Sequence, residues 1–256
     1  PFATDEDEVI KAIPCPLLPT ALSIEGRLIA LACMALADIG GALSRGHGAA
    51  AKVTATHLVT SPLRPGLTHD DVAGLEASVR HAHRAPIKRF TGEAGVFASL
   101  AAASQLLEAE PRGLVLVLAV DSFLSVDWLA HARAHPGSPW APSRPHPSEA
   151  AAALVLAGPV FARELGLPPL ARVVQSAVVP GAANDDNDEP VDPVAMTQVL
   201  TALGGFRVRY AFGQDAFDTL RVKEWYGAVA RQAFRFREGH YEDCIERRIG
   251  QVGAAS

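Results

Sequence analysis

Apolar and polar positions along the chain alternate between helical and strand-like patterns. In residues 23–39 apolar side chains recur at helical spacing, and Gly40-Gly41 predicts where that helix ends. Val53–Thr60 is typical of a short strand, and a second helix is expected near residues 70–82, after a surface loop at residues 62–66. The first third of the chain is therefore predicted to contain both helix and strand.

The middle of the chain contains its most apolar predicted strand. One face of a helix rich in small residues is marked by Val96, Phe97, Leu100, Ala103 and Leu107. Residues 111–113 (Pro-Arg-Gly) end this helix, and residues 114–120 form an uninterrupted apolar run. A strand that is apolar at every position is usually buried on both faces, so we expect it at the centre of a sheet covered by helices.

The second half continues this mixture of element types. A proline-rich surface loop is expected at residues 134–147 and a polar, acidic loop at 184–189. Strands are predicted at residues 150–156 (a second buried strand), 173–179 and 206–212, and helices at residues 194–203 and 221–237. The pattern predicts one α/β domain over residues 1–256, with helices on both sides of a sheet.

Composition and charge narrow the class of protein. The chain has 256 residues, of which 49% are hydrophobic and 20% charged, as expected for a packed globular protein. Its 23 basic and 28 acidic side chains give a formal charge of −5, so nucleic acid and anionic membrane surfaces are not expected partners. We find no apolar run near the ~20 residues that a bilayer span requires and no basic leader, and we expect a cytoplasmic protein.

Residue motifs with known chemistry are scarce. The G-x-S-x-G, P-loop and H-E-x-x-H patterns are absent, which disfavours an α/β hydrolase, and residues 46–51 (G-H-G-A-A-A) follow a helix and are interpreted as a loop. Cys15, Cys33 and Cys244 are far apart, and the pairs His81/His83 and His131/His135 lack a third ligand. No metal and no cofactor is therefore predicted.

Four stretches, in this order, resemble the β-ketoacyl synthase (3-oxoacyl-acyl-carrier-protein synthase) family of the thiolase superfamily. Residues 91–95 (T-G-E-A-G) resemble its nucleophile elbow, and residues 119–124 (A-V-D-S-F-L) its G-G-V-D-S turn. Residues 147–156 (P-S-E-A-A-A-A-L-V-L) are similar to its P-G-E-G-A-A-A-L-V-L strand, and residues 249–256 (I-G-Q-V-G-A-A-S) to its I-G-H-T-G-A-A-S-G segment. The resemblance implies a thiolase-like layered α/β fold, with helices covering mixed sheets.

The resemblance also implies where the catalytic residues would stand. Family members acylate a cysteine at the start of the elbow helix, and two histidines assist the decarboxylative condensation. Glu93 occupies the cysteine position, Phe212 corresponds weakly to the first histidine, and Gln251 corresponds to the second. A carboxylate forms no stable acyl thioester, and neither Phe212 nor Gln251 can shuttle a proton. We expect these three residues to converge on one cleft if the alignment is correct.

Each candidate residue also has a purely structural interpretation. Glu93 could simply complement the positive end of a helix dipole, or it could be a buried base or an anchor for a cationic ligand. Asp121 and Ser122 are interpreted as turn caps. Glu149 enters a buried strand and needs a partner, for which backbone amides or an arginine such as Arg144 are candidates. Cys244 is expected to be a packing thiol.

The function expected from the resemblance is an acyl-binding or acyl-carrier-binding subunit with a substituted catalytic centre, either noncatalytic or with altered chemistry. The alternatives are an active synthase, if the elbow alignment is wrong, and an interaction protein without a small-molecule site. Family members are dimers, so a homodimer or a heterodimer with another synthase subunit is expected. The chain is also expected to be a fragment that lacks the family's first strand and its C-terminal elements.

Overall fold

The computed structural model describes most of the first two thirds of the chain and short segments after it. The described residues are 12–44, 52–92, 94–134, 147–166, 168–179, 194–202, 210–213 and 240–243. The helices are α1 (Ile24–Ser44), α2 (His69–His83), α3 (Gly95–Ala109), α4 (Val126–Ala134), α5 (Pro159–Glu164) and α6 (Val194–Ala202). The strands are β1 (Val53–Thr60), β2 (Ile87–Thr91), β3 (Leu114–Ser122), β4 (Glu149–Ala157), β5 (Tyr210–Gly213) and β6 (His240–Asp243).

The main sheet has four strands in the order β2-β1-β3-β4. Strand β1 pairs in parallel with both β2 and β3, whereas β4 is antiparallel to β3. Every residue of β3 is buried, which confirms the central position predicted from its apolar sequence. Because β1, β2 and β3 are parallel, their carboxyl ends meet at one edge of the sheet, and β4 begins at that same edge.

Helices cover both faces of this sheet, as the sequence predicts. Helix α1 packs against α2, β3 and β4, and together these elements enclose the larger hydrophobic cluster, which includes Leu28, Leu75 and Leu118. Helix α3 packs on the opposite face against β1, β2 and β3, where Val96 joins Val59 in a second cluster. The predicted helix–sheet–helix layering is confirmed in this part of the chain.

Helix α1 ends later than predicted, and it is longer and more apolar than the sequence analysis expected. It continues through Gly40 and Gly41 to Ser44, because glycine lowers helix propensity without preventing a helix and a Cβ at either position would meet no atom within 4 Å. By length and composition its 21 residues are also apolar enough to cross a membrane, contrary to the sequence analysis. Helices in the cores of soluble proteins pass the same test, and α1 buries Leu28, Leu31 and Leu36 against its neighbours.

Two predicted strands require correction. Strand β4 is half-buried over most of its length rather than buried on both faces, because it has β3 as its only strand partner among the described residues. Residues 173–179 contain no strand, since no described segment pairs with them, and their valines at 173, 174 and 178 are exposed. Apolar β-prone residues therefore did not suffice to predict a strand here.

The described residues fall into two compact units, one ending at Val173 and one beginning at Val174. The second contains α6, close to the helix predicted at 194–203, and a parallel pair formed by β5 and β6. Strand β5 overlaps the end of the strand predicted at 206–212. The acidic loop at 184–189 and the helix at 221–237 lie outside the described residues, and the single domain over 1–256 stays a prediction.

Candidate functional site

The candidate site lies at the edge where the parallel strands β1, β2 and β3 end. In open α/β sheets this edge is the usual place for ligands, because loops and helix starts converge there. The segments that leave it are the loop after Thr60, the turn after Thr91 and the turn after Ser122. The predicted elbow and the predicted D-S turn are therefore brought to the same edge of one sheet.

The elbow is a tight strand–turn–helix connection, of which the sequence predicts the helix but not the strand β2 before it. Strand β2 ends at Thr91, Gly92 adopts φ +88°, and α3 begins at Gly95, whose N–H donates to the Gly92 carbonyl at 2.8 Å. That positive φ is accessible to glycine at little cost, which is why glycine suits this turn. Ala94 is the exposed N-cap residue of α3, and its side chain makes no capping hydrogen bond.

Helix α3 is held on the sheet by a buried polar contact beneath its first turns. The carbonyl of Ser99 accepts a hydrogen bond from Nδ1 of His57 on β1 at 3.0 Å, and the Ser99 hydroxyl donates to the Val96 carbonyl at 2.8 Å. Burial lowers the pKa of His57 below its ordinary 6.5, and Lys88 lowers it further, against the opposing effect of the Ser99 hydrogen bond. A neutral His57 that carries its proton on Nδ1 therefore fastens the elbow helix to β1.

The predicted apolar face of α3 is only partly correct. Val96 and Ala103 are buried as expected, whereas Phe97 is 44% exposed. The sequence analysis did not identify the contact between His57 and Ser99. The sequence feature that could have indicated it is the histidine within the otherwise apolar and threonine-rich strand V-T-A-T-H-L-V-T.

Asp121, near the end of β3, is a buried ion-pair partner. Its Oδ1 lies 2.7 Å from Nη2 of Arg64, its Oδ2 accepts from the Ser61 hydroxyl, and its Oδ1 also accepts from the N–H of Ser122 at 2.9 Å. The Arg64 side chain is 4% exposed and that of Asp121 2%. The interpretation of Asp121 as a turn cap therefore requires correction, because Asp121 lies within β3 and bonds the loop after β1. Ser122 does cap the next turn, since its hydroxyl accepts from the N–H of Leu124 at 3.3 Å.

Glu149 at the start of β4 has the partners that burial requires. Its Oε1 accepts from Nη1 of Arg27 at 2.7 Å and from the N–H of Cys15 at 2.9 Å, and its Oε2 accepts from the Ser122 hydroxyl at 3.0 Å. The Arg27 side chain is 4% exposed and that of Glu149 is fully buried. An arginine and a backbone amide were both expected, but the arginine is Arg27, while Arg144 lies outside the described residues.

These two ion pairs form a continuous polar layer at the sheet edge. Ser122 links them, because its hydroxyl donates to Glu149 while its backbone contacts Asp121 and Arg64. Both oxygens of each carboxylate accept hydrogen bonds and each carboxylate is paired with an arginine, so Asp121 and Glu149 fix the ends of β3 and β4. The sequence indicated Asp121, Ser122 and Glu149 individually but not their linkage.

Of the three predicted catalytic positions, only that of Phe212 lies within the described residues. Glu93 and Gln251 lie outside the described residues, and Phe212 lies in β5, paired with Glu242 of β6, with its side chain outside the description. Their convergence on one cleft therefore stays a prediction. What the structure describes of the elbow is its frame, Gly92 before and Ala94 after position 93.

The histidines and cysteines considered as metal ligands form no metal-binding group among the described residues. Among the described residues no group of three or more His, Cys, Asp or Glu side chains could hold a metal ion. Cys15 is half-buried and Cys33 exposed, both as free thiols, whereas Cys244 and His135 lie outside the described residues.

Comparison with known proteins gives structural matches without sequence matches. No model of a known protein family matches the chain, and no curated protein matches it. The ketosynthase from module 6 of the bacillaene synthase from Bacillus subtilis 168 is similar with a TM-score of 0.62 and 11% identity, over 91% of this chain and 44% of that chain. This chain thus spans less than half the length of that ketosynthase.

Two further solved structures match less well. One is β-ketoacyl-[acyl carrier protein] synthase III from Thermus thermophilus, with a TM-score of 0.47 and 19% identity over 88% of this chain and 73% of that chain. The other is germicidin synthase from Streptomyces coelicolor, a type III polyketide synthase, with a TM-score of 0.47 and 14% identity over 84% of this chain and 57% of that chain. The resemblance found in the sequence is confirmed at the level of the fold: this chain has a thiolase-like α/β fold, similar to that of the bacillaene-synthase ketosynthase.

Proposed function

We propose that this chain is a β-ketoacyl synthase-like protein of fatty-acid or polyketide type that binds acyl or acyl-carrier-linked ligands through a substituted catalytic centre. The observation that carries the proposal is the elbow. Between Gly92, with φ +88°, and the exposed Ala94 at the start of α3, the sequence has Glu93 where family members have the acylated cysteine.

Chemistry supports the loss of condensation. A helix start favours a thiolate by lowering the thiol pKa, and its free N–H groups can stabilise an oxyanion. A carboxylate at that position would give a mixed anhydride, which water hydrolyses readily, instead of a stable thioester. With Phe212 and Gln251 at the positions of the two histidines, the decarboxylation step also lacks its usual proton and charge partners.

The partners proposed here follow from the fold. The structural neighbour with a TM-score of 0.62 is the ketosynthase from module 6 of the bacillaene synthase, and this likeness supports an acyl-carrier thioester as the ligand. We propose a soluble cytoplasmic protein that forms a homodimer or a heterodimer with another synthase subunit. Without a nucleophile, such a protein would act in ligand binding, chain-length control or scaffolding.

The proposal is tested by offering the purified chain hexanoyl-acyl carrier protein and then malonyl-acyl carrier protein. Calorimetry is expected to detect binding of the hexanoyl carrier protein, and mass spectrometry is expected to detect no 3-oxooctanoyl product. Formation of that product, or an acyl adduct on Cys15, Cys33 or Cys244, would establish the active-synthase alternative. Absence of binding would favour an interaction protein without a small-molecule site.

A further inference from the structure

Several buried hydrogen-bond donors have no acceptor in the described part of the chain, and two of them belong to side chains near the sheet edge that contact Phe123. They are Nη1 of Arg64 and Nε1 of Trp128. The Arg64 side chain is 4% exposed, and Trp128 as a residue is 5% exposed. Leaving a buried donor unpaired is costly, so each one in a folded protein requires an explanation.

Both donors belong to side chains that contact the same aromatic ring. The guanidinium carbon of Arg64 lies 4.1 Å from the ring centroid of Phe123, and the Trp128 ring meets Phe123 edge-on at 5.2 Å between centroids. The loop that carries Arg64 packs directly on the start of α4, since a Cβ on Gly66 would lie 1.9 Å from Oγ of Ser125. The two donors are therefore held by two packed elements around one apolar centre.

The charges around this centre select the kind of acceptor. The positive charge of Arg64 is already paired with Asp121 at 2.7 Å, and its Nη2 also donates to the Ser122 carbonyl at 2.7 Å. A second anion would therefore be buried without full compensation, which is costly. A neutral carbonyl oxygen accepts two hydrogen bonds at no such cost, and the surrounding side chains Phe123, Trp128 and Leu129 form a buried apolar cluster that matches an uncharged ligand.

We propose that Arg64 and Trp128 form a subsite for a neutral carbonyl oxygen, with Nη1 of Arg64 and Nε1 of Trp128 both donating to it. The ligand class is an acyl or amide chain such as an acyl-pantetheine. The subsite rests on the proposed function and deepens it, because it names side chains that would recognise the carrier-linked ligand at the edge where the elbow lies.

The test uses hexanoyl-pantetheine as the probe and hexanoate as an anionic comparator. Trp128→Phe removes the indole N–H but keeps an aromatic ring against Phe123, and Arg64→Lys keeps a positive charge for Asp121 but removes Nη1. Calorimetry is expected to give a dissociation constant for hexanoyl-pantetheine that is about two- to tenfold larger in each variant, the effect of one hydrogen bond. Thermal unfolding of Trp128→Phe is expected to be unchanged or shifted upward, because an unpaired donor has been removed.

A spectroscopic measurement separates contact from structural support. In ¹H–¹⁵N spectra the indole N–H signal of Trp128, identified by its loss in Trp128→Phe, is expected to shift when hexanoyl-pantetheine is added to the wild-type chain. Unchanged affinity in both variants, an indole signal that does not move, or tighter binding of hexanoate would overturn the subsite and leave the proposed function standing. If the wild-type chain binds no hexanoyl-pantetheine, both proposals are wrong.

Discussion

At the scale of single residues, the sheet edge depends on polar side chains that burial forces into fixed partnerships. Glu149 is satisfied at both oxygens by Arg27, Ser122 and the Cys15 N–H, and Asp121 by Arg64 and Ser61. Isolated charges in such surroundings are costly, whereas paired ones are tolerated. The need of Glu149 for a partner could be predicted from its place before an apolar run. The identity of that partner could not, because Arg27 is 122 residues away in sequence.

Removing one side of the Arg27–Glu149 pair is expected to be strongly destabilising. In Glu149→Ala the buried guanidinium of Arg27 loses its counter-charge, and we expect the free energy of unfolding in urea to fall by about 3–5 kcal/mol. The double variant Arg27→Met/Glu149→Leu removes both charges and is expected to be more stable than Glu149→Ala. A loss below about 1 kcal/mol in Glu149→Ala would show that the pair behaves like an exposed one.

His57 is expected to make stability depend on pH. Because its pKa is lower in the folded chain than its ordinary 6.5, the unfolded chain binds more protons below that value, and stability falls as the pH falls below 6.5. Each such group contributes a slope of up to about 1.4 kcal/mol per pH unit. His83, whose pKa burial also lowers, acts in the same direction.

The variant His57→Asn keeps a side-chain donor but does not titrate. Its free energy of unfolding, measured by urea denaturation across this range, is expected to fall less steeply toward acid than that of the wild type. Equal slopes for His57→Asn and the wild type would contradict the lowered pKa of His57.

At the scale of elements, the strength of the apolar pattern and the presence of a pairing strand decided which sequence predictions were correct. The strand β1, the buried strand β3 and the helices α2 and α3 were predicted within a few residues, because their apolar periods are strong. The strand β2 was missed, since I-K-R-F-T is short, lies at the edge of the sheet and exposes most of its residues. Residues 173–179 show the reverse error, a strand-like sequence without a described partner.

Two glycines in different elements are expected to respond oppositely to alanine. Gly92→Ala forces a side chain into the φ +88° turn of the elbow and is expected to lower stability by about 1–3 kcal/mol, although space for the methyl group is available. Gly40→Ala, within α1 and equally free of steric contacts, is expected to raise stability by about 0.5–1 kcal/mol. Thermal unfolding of the two variants checks both signs, and a stabilised Gly92→Ala would contradict the elbow geometry.

At the scale of the whole molecule, the fold and the frame of the candidate site are built from one part of the chain. The sheet edge, the elbow turn and the two ion pairs all lie before Val173, whereas Phe212 belongs to the second unit and Gln251 lies outside the described residues. The layered fold could be predicted because motif order and apolar patterning agree. A convergence of side chains from distant parts of the chain depends on long-range packing, which neither periodicity nor spacing encodes.

The central claim is that Glu93 replaces a nucleophile at an otherwise competent elbow. The direct measurement is intact mass after incubation with hexanoyl-pantetheine thioester, for the wild type, Glu93→Cys and the matched control Glu110→Cys at the exposed opposite end of α3. The account predicts a hexanoyl adduct on Glu93→Cys and not on Glu110→Cys, because of these two introduced thiols only the one at position 93 comes just before the start of α3 in the sequence. An adduct on the wild-type chain, or equal labelling of the two variants, would contradict it.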